Sequence, residues 1–219
     1  MTPGTIQTMR LAILAGSALA PLLVSEALAR GHQVSVLDET PAGPAAGRDG
    51  VRIVPGRRRD AGAVSDLVDG QEAVIVALAD GGDAGATAHA PDVVLDAARS
   101  MRRYGVRRLI VLSAAAVAPD GEPGRPRLLG RLADTLARRR RVADLRRMEV
   151  AVRRSELDWT LVRAARLTDG PPRGRGRIRV GPGYNLPGGR PLSRATAAAF
   201  LLDQLDRDGD IAHAVAISG

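Results

Sequence analysis

The sequence contains no cysteine and no lysine, and aromatic residues make up only 2% of its 219 positions. Without cysteine there is no disulfide, no thiolate nucleophile and no cysteine-ligated metal. That composition is in keeping with the cytoplasm. One Trp, two Tyr and one Phe offer no platform for stacked bases and argue against a large aromatic-lined pocket. The three histidines, His32, His89 and His213, are scattered and make no metal-ligand pattern. The net charge of +8 rests on arginine alone. Arginine, alanine, glycine and proline share GC-rich codons, which explains this charge without a nucleic acid partner. No interleaving of basic and aromatic residues and no nucleic-acid motif supports one.

What is present is a hydrophobic fraction of 45%, enough for one core of Ala, Val, Leu and Ile in a single domain. No segment has the length of apolar sequence needed to span a membrane. Residues 10–29 imitate a secretory signal, with Arg10, an apolar run and Ala27-Leu28-Ala29. Glu26 interrupts the run, and the pattern passes straight into a strand, so the segment reads as folded structure.

Residues 10–37 set the plan. An apolar run, Leu11 to Leu14, reaches the small-residue turn Ala15-Gly16-Ser17-Ala18. A helix follows with Leu22, Leu23, Ala27 and Leu28 on one face, Gly31 stops it, and residues 33–37 form a second strand. Strand, helix and strand within about 30 residues is a βαβ unit, whose two strands are parallel because the crossover needs the helix. Pro21 suits the first turn of that helix but removes an amide donor. Leu19 and Leu22 stand three and six residues beyond Gly16, where a dinucleotide turn carries glycines. Their side chains are expected to crowd a diphosphate.

Further along, residues 51–54 read as a third strand and 60–69 as a helix capped by Asp60 and stopped by Gly70. Residues 73–78 are continuously apolar, as in a central parallel strand buried on both faces. A helix spans 91–104 and ends at Gly105. A strand at 108–112 ends at Ser113, and 128–154 reads as one long helix or two in series. Strands at 157–162 and 177–180, a helix capped by Ser193 and a last strand at 214–217 complete the chain. Alternating strands and helices predict an α/β fold, a Rossmann-like doubly wound parallel sheet in a single domain. Residues 1–9 read as a flexible lead-in, 10–219 as the domain, and 167–191 as a segment folded over the carboxyl ends of the strands.

The stretches SEALARGHQVSVL, DAARSMRRYGVRRLIVLSAAAV, RMEVAVRRSELDWTLVRAARLTDG and PLSRATAAAFLLDQL resemble the atypical short-chain dehydrogenase/reductases. The subgroup is the NAD(P)H-binding one of biliverdin-B/flavin reductases and NmrA-like proteins. The resemblance implies a Rossmann sheet with NAD(P)H along the strand ends and hydride transfer to flavins, quinones or similar acceptors. The chain departs from that pattern at cofactor positions. The glycine turn is Ala15-Gly16-Ser17-Ala18-Leu19-Ala20-Pro21, one residue short. Asp38 stands where the family carries an arginine for the 2′-phosphate. Gly56-Arg57 replaces Gly-Asp, Arg163-Ala164 replaces Arg-Pro, and Thr196 replaces an aspartate. The Tyr-x-x-x-Lys dyad is missing. An aspartate about 20 residues past the turn suits the ribose hydroxyls of NAD.

Candidate catalytic residues are Ser113, Tyr184, His89 and Arg163. Ser113 reads as a hydroxyl donor to a carbonyl or as a strand-end serine bonded to local backbone. Tyr184 reads as a general acid or stacking lid or as packing for its own loop. His89 is the histidine best placed for proton transfer, or a solvent-facing loop residue. Arg163 reads as a site for an anionic or enolate oxygen, or as a strand-end ion pair. His32 reads as structural, His213 as exposed, and Trp159 as core beneath the cleft. Glu149 and Asp144 read as a solvated or ion-paired helix face. If a dinucleotide binds, Gly16, Ser17, Ala18, Asp38 and Leu78 are the residues expected to hold it.

Taken together, the lost glycines lead the sequence reading to an enzyme without cofactor. It would act on a small organic molecule, such as a secondary metabolite in biosynthesis, by redox-neutral isomerisation, dehydration or cyclisation. The alternative is an NAD(P)H-dependent flavin- or quinone-type oxidoreductase with NAD or NADP as cofactor. A non-catalytic NmrA-like regulator is the third reading. The partner expected is a small-molecule substrate, with no nucleic acid and no membrane, and the sequence leaves the oligomeric state open.

Overall fold

Burial at consecutive positions along the central strands marks a sheet covered on both faces. In the computed structural model, which describes residues 8–38, 47–79, 87–117, 135–171, 179–182 and 190–219, ten strands and five helices are seen. They are β1 (Arg10–Ala15), α1 (Ala20–Ala29), β2 (Gln33–Asp38), β3 (Val51–Pro55), α2 (Ala61–Val68) and β4 (Ala73–Ala77). Then come α3 (Ala90–Tyr104), β5 (Arg108–Ala114), α4 (Thr135–Arg153) and β6 (Asp158–Ala164). Last are β7 (Leu167–Thr168), β8 (Arg179–Pro182), β9 (Leu192–Ser193), α5 (Arg194–Asp203) and β10 (His213–Ser218). The main sheet runs β3-β2-β1-β4-β5-β6-β10-β8. Seven of its strands are parallel, and β8 pairs antiparallel with β10. The doubly wound parallel sheet expected from the sequence is present, with one antiparallel strand added at its edge. A short strand at the sheet edge needs no helical crossover, so either direction is open to it.

Side chains two apart share a face. Leu11, Ile13 and Ala15 of β1 pack with Leu23, Val24 and Ala27 of α1 and with Phe200 and Leu201 of α5. Ala12 and Leu14 pack on the opposite face with residues of α2, α3 and α4, among them Leu67, Met101 and Met148. The helices start and stop where the sequence signals them. The Asp60 carboxylate accepts from the amides of Gly62 (2.9 Å) and Ala63 (3.3 Å) at the start of α2. Ser193 Oγ accepts from Thr196 N (3.2 Å) in the first turn of α5. Gly105 ends α3 at φ +71°, in the left-handed region that favours glycine. Among the described residues, no helix is long and apolar enough to cross a membrane.

His32 is a structural histidine. It is 4% exposed, and its Nδ1 accepts a hydrogen bond from the Met9 amide (3.2 Å). Burial lowers its pKa below the ordinary 6.5, the Arg30 charge adds to that, and Asp206 opposes it. The unfolded chain therefore binds this proton more readily than the folded one. The stability contributed by neutral His32 is complete above about pH 6.5 and is lost as pH falls from there toward the folded pKa. Denaturant titrations across this window are expected to show stability falling on the acid side. In a His32→Gln variant that slope is expected to flatten; an unchanged slope contradicts the assignment.

Candidate functional site

In an open α/β sheet the ligand crevice opens outside the carboxyl ends of the strands, where the strand order reverses. Here the reversal falls between β1 and β4, which both pair with each other and lead to opposite sides of the sheet. The Gly16 amide donates to the Ala77 carbonyl (3.0 Å), tying the two strand ends together. The Gly16 carbonyl then accepts from Leu19 N (3.1 Å) and Ala20 N (2.9 Å), folding the chain into α1.

Leu19 is fully buried and packs with the α1 face of the core. This corrects the expectation that it crowds a diphosphate. With the helix starting at Ala20, residue 19 falls on the core-facing side of the turn, and the open side carries Ser17, exposed, and Ala18, half-buried. For Leu19 that steric ground for a chain without cofactor is removed; Leu22, half-buried, packs in part against the same core cluster. No acceptor for the Ser17 and Ala18 amides is seen among the described residues. Both stand at the positive end of α1, where an anion is favoured.

The other sequence-derived candidates divide. Leu78 is buried, and its carbonyl accepts from Thr87 Oγ1 (3.2 Å). Asp38 ends β2, half-buried, and its carbonyl accepts from Gly56 N (3.1 Å). His89 is half-buried directly before α3 and makes no side-chain cap. That places it at the carboxyl edge of the sheet, but no bond among the described residues joins it to another candidate. Tyr184 lies outside the described residues, as does most of the 167–191 segment.

Ser113 and Arg163 come together through a residue that the sequence reading assigned to the ordinary face of a helix. Ser113 and Arg163 are opposite one another in the β5–β6 register. Glu149, from α4, lies against both. Ser113 Oγ donates to Glu149 Oε1 (2.7 Å). Arg163 donates through Nε to Oε1 (3.0 Å) and through Nη2 to Oε2 (2.6 Å). The three side chains are 1%, 6% and 4% exposed. An ionised carboxylate is a stronger acceptor than a ligand carbonyl, so the serine proton is committed inward, not to a substrate. The Arg163 fork is likewise held by Glu149 instead of an enolate. A findable signal was present: Leu145, Met148, Glu149 and Val152 share the buried side of α4, so Glu149 interrupts an apolar stripe. Trp159 also differs from expectation. It is core, but it is the second residue of β6, at the amino edge, with the Arg153 guanidinium 5.2 Å from its ring centroid.

A cavity of about 370 Å³ opens at that amino edge, lined by Arg10, Arg52 and Gln71 among others. It lies across the sheet from the β1–α1 turn, at the amino ends of the strands, whereas ligands in such sheets bind outside the carboxyl ends.

A family model described as NAD(P)H-binding matches residues 15–208. The chain belongs to this NAD(P)H-binding family. Solved structures agree in fold. A short-chain dehydrogenase/reductase from Veillonella parvula in complex with NADP matches at TM-score 0.72 and 16% identity, over 97% of this chain and 95% of that one. An oxidoreductase from Lactococcus lactis matches at TM-score 0.76 and 14% identity, over 96% and 91%. A candidate NADH-flavin reductase from Streptococcus pneumoniae matches at TM-score 0.72 and 20% identity, over 96% and 99%. These identities show likeness of fold alone. No curated protein gives a significant match. For this family the turn fits its group: among the described residues the Ser17 and Ala18 amides have no acceptor at the start of α1, and Leu19 is turned into the core.

Proposed function

We propose that the chain is an NAD(P)H-dependent oxidoreductase of the flavin- or quinone-reductase kind. The observation that carries this is the β1–α1 turn, with Leu19 in the core and the Ser17 and Ala18 amides open at the switch point. Ser17 and Ala18 are the residues that would hold the diphosphate. The bound nicotinamide would supply the hydride.

The chain's own part is orientation and exclusion of water. The Ser113–Glu149–Arg163 network fixes the ends of β5 and β6 as a rigid floor. With no lysine anywhere, there is no Tyr-x-x-x-Lys acid to protonate an alkoxide. A site without that acid suits acceptors in which the added charge is delocalised through a conjugated ring, and in such reductases positioning carries most of the rate.

The test is oxidation of NADPH and NADH, followed by absorbance, with FMN, riboflavin and a short-chain quinone as acceptors. Saturable turnover with at least one pair is expected. Absence of turnover together with absence of nucleotide binding overturns the reading.

A further inference from the structure

Arginine is not spread evenly over the two helical layers of this sheet. On the layer of α1 and α5 the cations are paired. Arg30, just past α1, lies between Glu26 and Asp203 (2.8 Å to each), and Arg194 of α5 meets Asp169. On the opposite layer, α4 and the residue after it present Arg139, Arg140, Arg146, Arg147, Arg153 and Arg154, all exposed. Asp144 pairs with Arg147, and Glu149 is turned inward to Arg163, with Arg153 behind it (3.7 Å). Among the described residues no carboxylate pairs with Arg139, Arg140, Arg146 or Arg154. Codon bias accounts for many arginines but not for their gathering on one layer. The same layer carries the exposed large hydrophobic side chains of the described residues, Leu95 of α3 at 41% and Val150 of α4 at 46%. Residues three and four apart are neighbours on a helix surface. Val150 has an arginine at all four such positions, Arg146, Arg147, Arg153 and Arg154, the last turn being closed by Arg154 N on the Val150 carbonyl (3.1 Å). Arg102 of α3 donates to the Ser155 carbonyl (3.1 Å) and aligns the ends of the two helices. Leu95 lies about 10 Å back from Arg102, and Val150 about 8 Å back from Ser155, so the two apolar side chains stand at nearly the same level.

We propose that the outer surface of α3 and α4 docks on an anionic lipid surface, with Val150 and Leu95 entering the headgroup region and the surrounding arginines on the lipid phosphates. An arginine stem lies along apolar surface while its guanidinium stays among polar groups. A shallow apolar insert ringed by cations matches the boundary of an anionic bilayer in both polarity and charge. A second copy of this chain would set arginine against arginine across the contact. Stacked bases find no exposed aromatic side chain here, since Tyr104 is half-buried and Trp159 buried. A protein interface is built around a fully buried apolar centre, and here two single residues stand in its place. Docking of this kind needs no membrane span. It departs from the expectation of no membrane partner drawn from the sequence, and it does not depend on the dinucleotide.

The experiment is co-sedimentation of the full chain with vesicles of phosphatidylcholine alone and of phosphatidylcholine with an equal part of phosphatidylglycerol, at about 0.1 M salt. The wild type is expected to bind the anionic vesicles about tenfold or more over the neutral ones and to be released at about 1 M salt. Arg146→Gln with Arg154→Gln is expected to weaken binding about 30-fold, roughly fivefold for each charge removed near the surface. Arg48→Gln with Arg166→Gln removes the same charge from exposed positions outside α3 and α4 and is expected to change binding less than about threefold. Val150→Ser is expected to weaken it about threefold or more. Melting temperatures within a few degrees of wild type show that the variants are folded. Equal losses from the two arginine pairs mean attraction by net charge without a docking face and overturn the proposal. So does a wild type that leaves the anionic vesicles unbound, or a Val150→Ser variant that binds as wild type does. Tighter binding of mixed-sequence duplex DNA than of the vesicles, lost in the Arg146–Arg154 variant, gives the face to nucleic acid and overturns it as well.

Discussion

Replacing Glu149 by alanine is expected to destabilise the fold by about 3–5 kcal/mol, because it leaves the Arg163 cation buried without its counter-charge. For a chain of this size that is a fall in melting temperature of roughly 6–20 °C. Ser113 loses its acceptor in the same step. The argument is one of asymmetry. Removing one partner of a buried ion pair leaves the full desolvation cost of the other, whereas the intact pair is worth little net. The double variant Glu149→Leu with Arg163→Met is therefore expected to recover most of the loss. Thermal melts of the two variants decide it. A Glu149→Ala variant within about 1 kcal/mol of wild type would show that the network contributes nothing beyond an ordinary surface pair.

Introducing an aspartate at Ser17 is expected to weaken dinucleotide binding by about 100-fold or more, since like charges brought together cost several kcal/mol. Ser17 is exposed and precedes α1, where an acidic side chain is favourable to the helix. The melting temperature is therefore expected to hold within a few degrees of wild type, roughly the effect of a surface substitution. Loss of affinity with the fold intact separates a diphosphate on this turn from one elsewhere. Unchanged nucleotide affinity in Ser17→Asp contradicts that placement.

The sheet was legible in the sequence because the central strands are built mainly of apolar residues and the caps at Asp60 and Ser193 are local signals. The βαβ unit needed only the run through Leu14, the stop at Gly31 and the strand after it. The direction of Leu19 was not legible. It depends on the residue at which α1 begins, and a shift of one position turns a side chain by about 100° around the helix. Read as a missing glycine, Leu19 suggested a closed site; placed in the core, it leaves that site open. Glu149 was hidden for a different reason. Its helix carries the arginine run 138–141, which reads as solvated, while its partners Ser113 and Arg163 stand on two different strands, one on either side of that helix in sequence. The bond from Arg58 to the Ala15 carbonyl shows the same limit, since it depends on the turn that Gly56 and Asp60 fix. The 167–191 segment, with Tyr184, lies largely outside the described residues and adds nothing to this comparison.

The central claim is that a nicotinamide dinucleotide lies with its diphosphate on the turn after β1. It is tested most directly by titrating the isotope-labelled protein with NADP⁺ while following backbone amide resonances. The account predicts saturable shifts led by Ser17 and Ala18, with Gly16 beside them. An absence of saturable shifts, or shifts confined to the amino edge around Arg10 and Arg52, would contradict it.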